Sequence, residues 1–185
     1  MESIRIEIAT IESAREVMKC TNDAFMADSF FKKEEFHQRF TISDVEEHMR
    51  NSNSLFLIAS SEAEPGRIVG SILMNWTSSI SNNFETFVGH FSAVSVPPAF
   101  AKRGIGKKLV QTAEQKLLEI STKSTLPSKV VMEMGVINLR EDLFPWYESQ
   151  GYSKHERLPD SDELARIKLD EVEVYCILMQ KQLRA

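Results

Sequence analysis

The chain has 185 residues, enough for one domain that buries most of the surface its unfolded form exposes. Apolar residues make up 42% and charged residues 26%, the balance of an ordinary soluble globular protein. A net charge of −5 excludes a general nucleic-acid binder, which needs a basic face. The two cysteines, Cys20 and Cys176, lie in unrelated segments and read as reduced, buried thiols, so a cytoplasmic location is expected. The four histidines are scattered, without the spacing of a metal site. No basic-then-apolar leader and no apolar run of about 18 residues is present, so no membrane partner is expected. Asn75-Trp76-Thr77 fits a glycosylation pattern but ends an apolar run and reads as chance.

Ile4, Ile6 and Ile8 alternate with Arg5 and Glu7, which predicts a half-buried strand. Thr10 is placed to cap a helix over 11–27 that carries Ile11, Ala14, Val17, Met18 and Phe25. The stretch 28–40 is rich in Phe with interleaved charge. Ser43-Asp44-Val45-Glu46 reads as a capping box for a short helix to about Arg50. Residues 55–60 and 67–76 are predicted strands joined by a turn at Glu64-Pro65-Gly66, and the polar run 75–83 reads as a loop. A strand over 87–96 is stopped by Pro97 and Pro98, which cannot continue a central ladder. Leu109, Val110, Ala113, Leu117 and Ile120 then recur at helical spacing over 104–121. After a loop at 121–127 come a buried strand over 129–136, a short helix over 141–150 and a strand over 151–157. An acidic connection over 158–170 and a last strand over 172–180 follow.

Between the 87–96 strand and its helix lies Ala101-Lys102-Arg103-Gly104-Ile105-Gly106-Lys107-Lys108. A turn of this kind aims free backbone N–H groups at whatever sits on the helix N-terminus, where the macrodipole favours an anion. Glycines permit close approach to the backbone, and the four cations add charge. The segment therefore reads as a pyrophosphate-binding turn. It is not a Walker A loop, and Gly-x-Gly-x-x-Gly fails because position 109 is Leu.

Val94-Ser95-Val96-Pro97, followed by Arg103-Gly104-Ile105-Gly106 and a Lys-rich helix start, resembles the acetyl-CoA motif of the GNAT superfamily of N-acetyltransferases. That motif runs Gln/Arg-x-x-Gly-x-Gly/Ala after a strand ending in Val-x-Pro. Gly104 and Gly106 match; the Gln/Arg position falls on Ala101, and Lys102 or Arg103 stands ready to replace its charge. Tyr147-Glu148-Ser149-Gln150-Gly151-Tyr152 matches the family's Tyr-x-x-x-Gly-aromatic pattern. Its usual upstream Asn and Ala fall on Arg140 and Leu143, as in an Arg-x-x-Leu version found in some branches.

The resemblance implies one α/β domain over 1–185, with a mixed central sheet flanked by helices. Two parallel strands splay apart in it to admit a pantetheine arm. Val94, Ser95 and Val96 would hold that arm, with a bulge near 94–96 to re-aim the backbone. Ala101, Lys102, Arg103, Gly104, Ile105, Gly106, Lys107 and Arg140 would complete the acetyl-CoA site. The implied reaction is acetyl transfer from acetyl-CoA to a primary amine in a ternary complex, the acceptor being a small molecule more readily than a protein. The alternative is a catalytically silent acetyl-CoA-binding module. Tyr147 would protonate the leaving thiolate. The base falls to His90 or Ser92 on the strand before the Gly turn, or to Glu133 on its neighbour. Phe30 and Phe31 sit where the family's acceptor-covering helices lie, although core packing is the plainer reading. No metal and no nucleic acid are implied, and the chain would act as a monomer or homodimer.

Overall fold

A computed structural model of the chain describes residues 4–61, 66–126 and 128–184. The N-terminal alternation forms strand β1 (Ile4–Ile8) as predicted. The following helix begins with a 3-10 turn at Ile11–Ser13 and continues as α1 (Ala14–Phe25). Thr10 does not cap it through its side chain; Ser13 Oγ instead donates to the Thr10 carbonyl at 2.7 Å. Helix α2 (Ile42–Arg50) has a capping box two residues earlier than predicted. Thr41 Oγ1 accepts from the Asp44 amide, and the Asp44 carboxylate accepts from the Thr41 amide at 2.7 Å. The shorter aspartate serves where the sequence pattern asks for glutamate.

Strand β2 (Ser54–Ser61) leads to β3 (Ile68–Ser81); Glu64 and Pro65 of the predicted turn lie outside the described residues. The polar run 75–83 is not a loop. β3 continues to Ser81 and turns back into β4 (Phe84–Ser95) through Asn82 and Asn83, whose φ values are 51° and 59°. Two consecutive positive-φ residues match the twist of a hairpin, and Asn tolerates that conformation. Helix α3 (Ile105–Ser121), strand β5 (Ser128–Ile137), helix α4 (Leu143–Glu148) and strand β6 (Ser153–Arg157) follow in the predicted order. The acidic connection contains a further short helix, α5 (Asp162–Ile167), capped by Ser161 Oγ accepting from the Leu164 amide at 3.1 Å. The last strand, β7 (Cys176–Arg184), starts four residues later than expected.

The strands form one mixed sheet in the order β1-β2-β3-β4-β5-β7-β6, with β4 and β5 the parallel pair. One face carries the larger core, where Met74, Phe87, Phe91, Met132 and Met134 meet Ile105, Leu109, Ala113 and Leu117 of α3 and Phe144 and Tyr147 of α4. On the other face Phe56, Ile58, Leu73 and Ala93 meet Ala14 and Val17 of α1 and Val45 of α2. No helix among the described residues is long and apolar enough to cross a membrane.

β4 passes beneath α3 at Gly89. A Cβ there would overlap Leu117 Cδ2 and lie 3.0 Å from Met132 Sδ. Gly89→Ala is therefore expected to destabilise the fold by about 1–3 kcal/mol through overpacking. Urea unfolding should show a lower midpoint at unchanged m-value. A wild-type midpoint would show that α3 yields at no cost.

Candidate active site

The site begins where the parallel pair stops. β4 and β5 run in register from Glu85 opposite Ser128 to His90 opposite Glu133, and no further. Among the described residues, beyond that row β4 keeps only β3, and β5 keeps only β7, as far as Ile137 opposite Cys176. The strands part, and the inward edges of both lose their ladder partners. The β3–β4 ladder steps from Leu73 opposite Ser92 to Ser71 opposite Ser95, which leaves one extra residue on β4. The bulge is centred on Ala93 (φ 49°), one residue before the predicted 94–96. The buried Ser95 hydroxyl braces it by donating to the Ala93 carbonyl at 2.8 Å. Val94 and Val96 pack half-buried against the larger core beside the gap.

The chain then leaves β4 through a 3-10 turn at Pro98–Phe100. The ring of Phe100 is buried, with the Arg67 and Arg103 guanidinium groups 4.7 and 5.2 Å from its centroid. Arg103 Nη2 also donates to the Ala99 carbonyl at 3.0 Å, so this arginine shapes the turn from within. Lys102 (φ 62°) and Gly104 (φ 78°) both take left-handed conformations. The first backbone bond that closes onto the new helix runs from the Lys108 amide to the Gly104 carbonyl at 3.1 Å. Among the described residues, the amides of Gly104, Ile105, Gly106 and Lys107 have no backbone acceptor. These are the orphan donors of a helix N-terminus. Ile105 anchors the turn by burying its side chain in the core, while Ala101, Lys102, Lys107 and Lys108 are exposed.

The two glycines serve different ends. Gly104 has open space where a Cβ would sit, and its requirement is the positive φ. A Cβ on Gly106 would lie 3.3 Å from Trp146 Cζ2, so this glycine admits the indole of α4 against the first turn of α3.

That contact carries the turn to Tyr147. Its ring is 6% exposed and is packed by Trp146, Phe91 and Tyr152 at centroid distances of 4.7, 5.9 and 6.0 Å. Burial pushes the phenol well above its ordinary pKa, and the Arg140 guanidinium works in the opposite direction. Among the described residues no hydrogen bond occupies the Tyr147 hydroxyl. Arg140 is held by two carboxylates. Nη1 donates to Asp28 Oδ1 at 2.7 Å, and Nε and Nη2 donate to Asp142 at 3.0 Å each. Its guanidinium is thus a fixed charge tied to the 26–31 turn and to the start of α4. Gly151, at φ 91°, lets the chain leave α4 as expected.

His90 and Glu133 are direct neighbours across the last paired row of the parallel strands. Side chains alternate along a strand, so His90 faces away from Phe91 and Tyr147. Asn75 and Gln180 extend this row to either side, and Gln180 Nε2 donates to Glu133 Oε2 at 3.2 Å. Burial depresses the His90 pKa, and the Glu133 carboxylate partly offsets this. Ser92 lies half-buried farther along β4. The structure therefore gathers the predicted bases beneath one end of the gap and places the predicted acid on the opposite face. Phe31 is buried while Phe30 is 56% exposed, so one ring packs and the other faces solvent. Asp28 carries no sequence signal, because its partner is 112 residues away. Trp146 could have been noticed as a second aromatic beside Tyr147.

The sequence model of the "Acetyltransferase (GNAT) family" matches residues 17–132. No curated protein matches the chain in sequence. Solved structures do match in fold. A GNAT-family acetyltransferase from Staphylococcus aureus superposes with a TM-score of 0.65 at 19% identity, covering 98% of this chain and 100% of its own. The PaiA N-acetyltransferase of Thermoplasma acidophilum, in complex with coenzyme A, gives 0.64 at 16%, covering 97% and 99%. The ribosomal-protein-S18-alanine N-acetyltransferase of Escherichia coli gives 0.65 at 10%, covering 99% and 96%.

Proposed function

Because the chain belongs to the GNAT acetyltransferase family, we propose that it transfers the acetyl group of acetyl-CoA to a primary amine, by direct attack in a ternary complex. The observation that carries this reading is the joining of a splayed parallel pair to a turn with four orphan amides. The coenzyme A held by the Thermoplasma structure supports the same ligand here. The whole chain serves as one catalytic domain. A small-molecule amine is the acceptor, drawn to an acidic protein of net charge −5. The free cysteines support a reducing, cytoplasmic setting.

Each residue then has a task. The amides of Gly104 to Lys107 receive the pyrophosphate, with Lys102, Lys107 and Lys108 adding charge. The unpaired edge of Val94, Ser95 and Val96 receives the pantetheine arm. The amine nitrogen attacks the thioester carbonyl, a C–N bond forms and the C–S bond breaks. The amine proton passes to His90 or Glu133, directly or through water, and Tyr147 donates its proton to the departing thiolate. Arg140 supports Tyr147 by placing positive charge near the phenolate this creates. The test is calorimetry with acetyl-CoA together with thiol release across a panel of amines. Failure of the folded protein to bind acetyl-CoA would end this reading.

The base is tested by pH. If His90 takes the proton, kcat/KM should rise with pH through a midpoint below histidine's ordinary value of about 6.5, because burial outweighs the carboxylate. His90→Gln should abolish this limb, and Glu133→Gln should move it lower still. The same shift makes neutral His90 favour the fold. That stability is present above about pH 6.5 and is lost as pH falls through the depressed native value. A limb that survives in both variants would belong to the substrate amine.

A further inference from the structure

Glu114 sits on the buried face of α3, one residue from Ala113 and three from Leu117, where a carboxylate is out of place. Burying it is costly unless both oxygens are satisfied. They are: Tyr152 Oη donates to Oε1 at 2.7 Å, and Lys181 Nζ lies 2.9 and 2.8 Å from the two oxygens. The three groups tie the pyrophosphate-turn helix to β7 and to Tyr152, the residue directly before β6. Lys181 also lies 5.5 Å from the centroid of the Tyr152 ring, and its Cε lies 3.4 Å from where a Cβ on Gly151 would be. Nothing in the proposed chemistry uses this network.

Its nearest consequence is for Tyr147. A hydroxyl that must meet a thiolate has to be left without a protein partner, so the ring is held by its neighbours alone. Tyr152 is one of the three aromatic walls, and its amide donates to the Tyr147 carbonyl at 3.3 Å. Tyr152 and Tyr147 both pack on Phe91, edge-on and tilted respectively. Apolar residues of similar volume at 114 and 181 would fill the space as well, but would leave the Tyr152 hydroxyl without its acceptor. We infer that Glu114, with Lys181, pins the Tyr152 hydroxyl so that the Tyr152 ring positions Tyr147 against the leaving sulfur. This inference rests on the reading of Tyr147 as the proton donor. Glu114, Tyr152 and Lys181 are positioning residues that do not touch the reacting atoms.

A double-mutant cycle tests it. Tyr147→Phe, Tyr152→Phe and the double variant are compared by acetyl-CoA affinity and by turnover, with the amine found in the screen and with water as acceptor. Tyr152→Phe should lower kcat about tenfold while leaving the acetyl-CoA Kd within about twofold. In the Tyr147→Phe background the same change should cost nothing further, since its effect passes through the missing hydroxyl. Glu114→Gln keeps an acceptor for Tyr152 and loses the ion pair. It should give a smaller kcat loss of the same kind, and it serves if Tyr152→Phe does not fold. Equal losses in both backgrounds, a loss confined to acetyl-CoA affinity, or wild-type kcat in Tyr152→Phe would each overturn the positioning role. Wild-type turnover in Tyr147→Phe itself would instead remove the proton-donor reading on which it stands.

Discussion

Tyr147→Phe is expected to bind acetyl-CoA as tightly as the wild type and to turn over about a hundred- to ten-thousand-fold more slowly. The change removes one oxygen from a ring otherwise held by Trp146, Phe91 and Tyr152. No hydrogen bond within the described residues is lost with it, so no orphaned partner destabilises the variant. Stability should therefore hold, which separates this substitution from most that empty a buried polar site. Burial keeps the phenol neutral at working pH and so keeps its proton available. A phenol of ordinary pKa about 10 is already a weaker acid than a thiol of about 8.5 and burial widens the gap, so proton donation to the thiolate runs uphill unless the phenolate is stabilised. The Arg140 charge works in that direction, and Asp28 and Asp142 hold it in place. Single-turnover measurement with acetyl-CoA and an accepted amine isolates the chemical step. Wild-type kcat with chemistry rate-limiting would reduce Tyr147 to a packing residue.

Much of this site was legible in the sequence because its parts are local. A strand, two prolines, a Gly-rich turn and an apolar helical stripe are neighbours in the chain, and β4, the turn and α3 appear where they were expected. Tyr147 and Gly151 are likewise read from one short motif. What escaped is set by contacts between distant segments. Gly106 is small because of Trp146, 40 positions later, and Arg140 is anchored by Asp28 from the N-terminal third. The far end of β3 escaped for a different reason. Residues 77–81 are exposed throughout, so the strand shows no alternation and its polarity reads as a loop. Helix α5 is less than two turns long, too short for a periodic signal. Ranking His90 against Glu133 as separate candidates missed that they share one row of the sheet, a register that only strand pairing reveals.

Gly104→Glu is expected to weaken acetyl-CoA binding by about thirty- to a hundredfold or more, through two effects that can be separated. The first is conformational. At φ 78° an L residue pays roughly 1–2 kcal/mol, and the turn either bears this strain or shifts its amides. The second is electrostatic. A carboxylate at the helix N-cap offers itself to the amides of Ile105 to Lys107 and competes with the pyrophosphate for them. It also repels what it does not displace. In affinity the shifted amides account for a fewfold and the carboxylate for the rest, together about 2–3 kcal/mol, which is the stated range. Gly104→Ala carries the first effect alone. It should lose about 1–2 kcal/mol of stability while its Kd for acetyl-CoA changes only a fewfold. The space around a Cβ at this position is open, so Gly104→Ala does not fail through collision. The pairing also makes the measurement decisive. If calorimetry shows Gly104→Glu folded and binding like Gly104→Ala, the carboxylate is not meeting an anion, and the pyrophosphate does not sit on this helix.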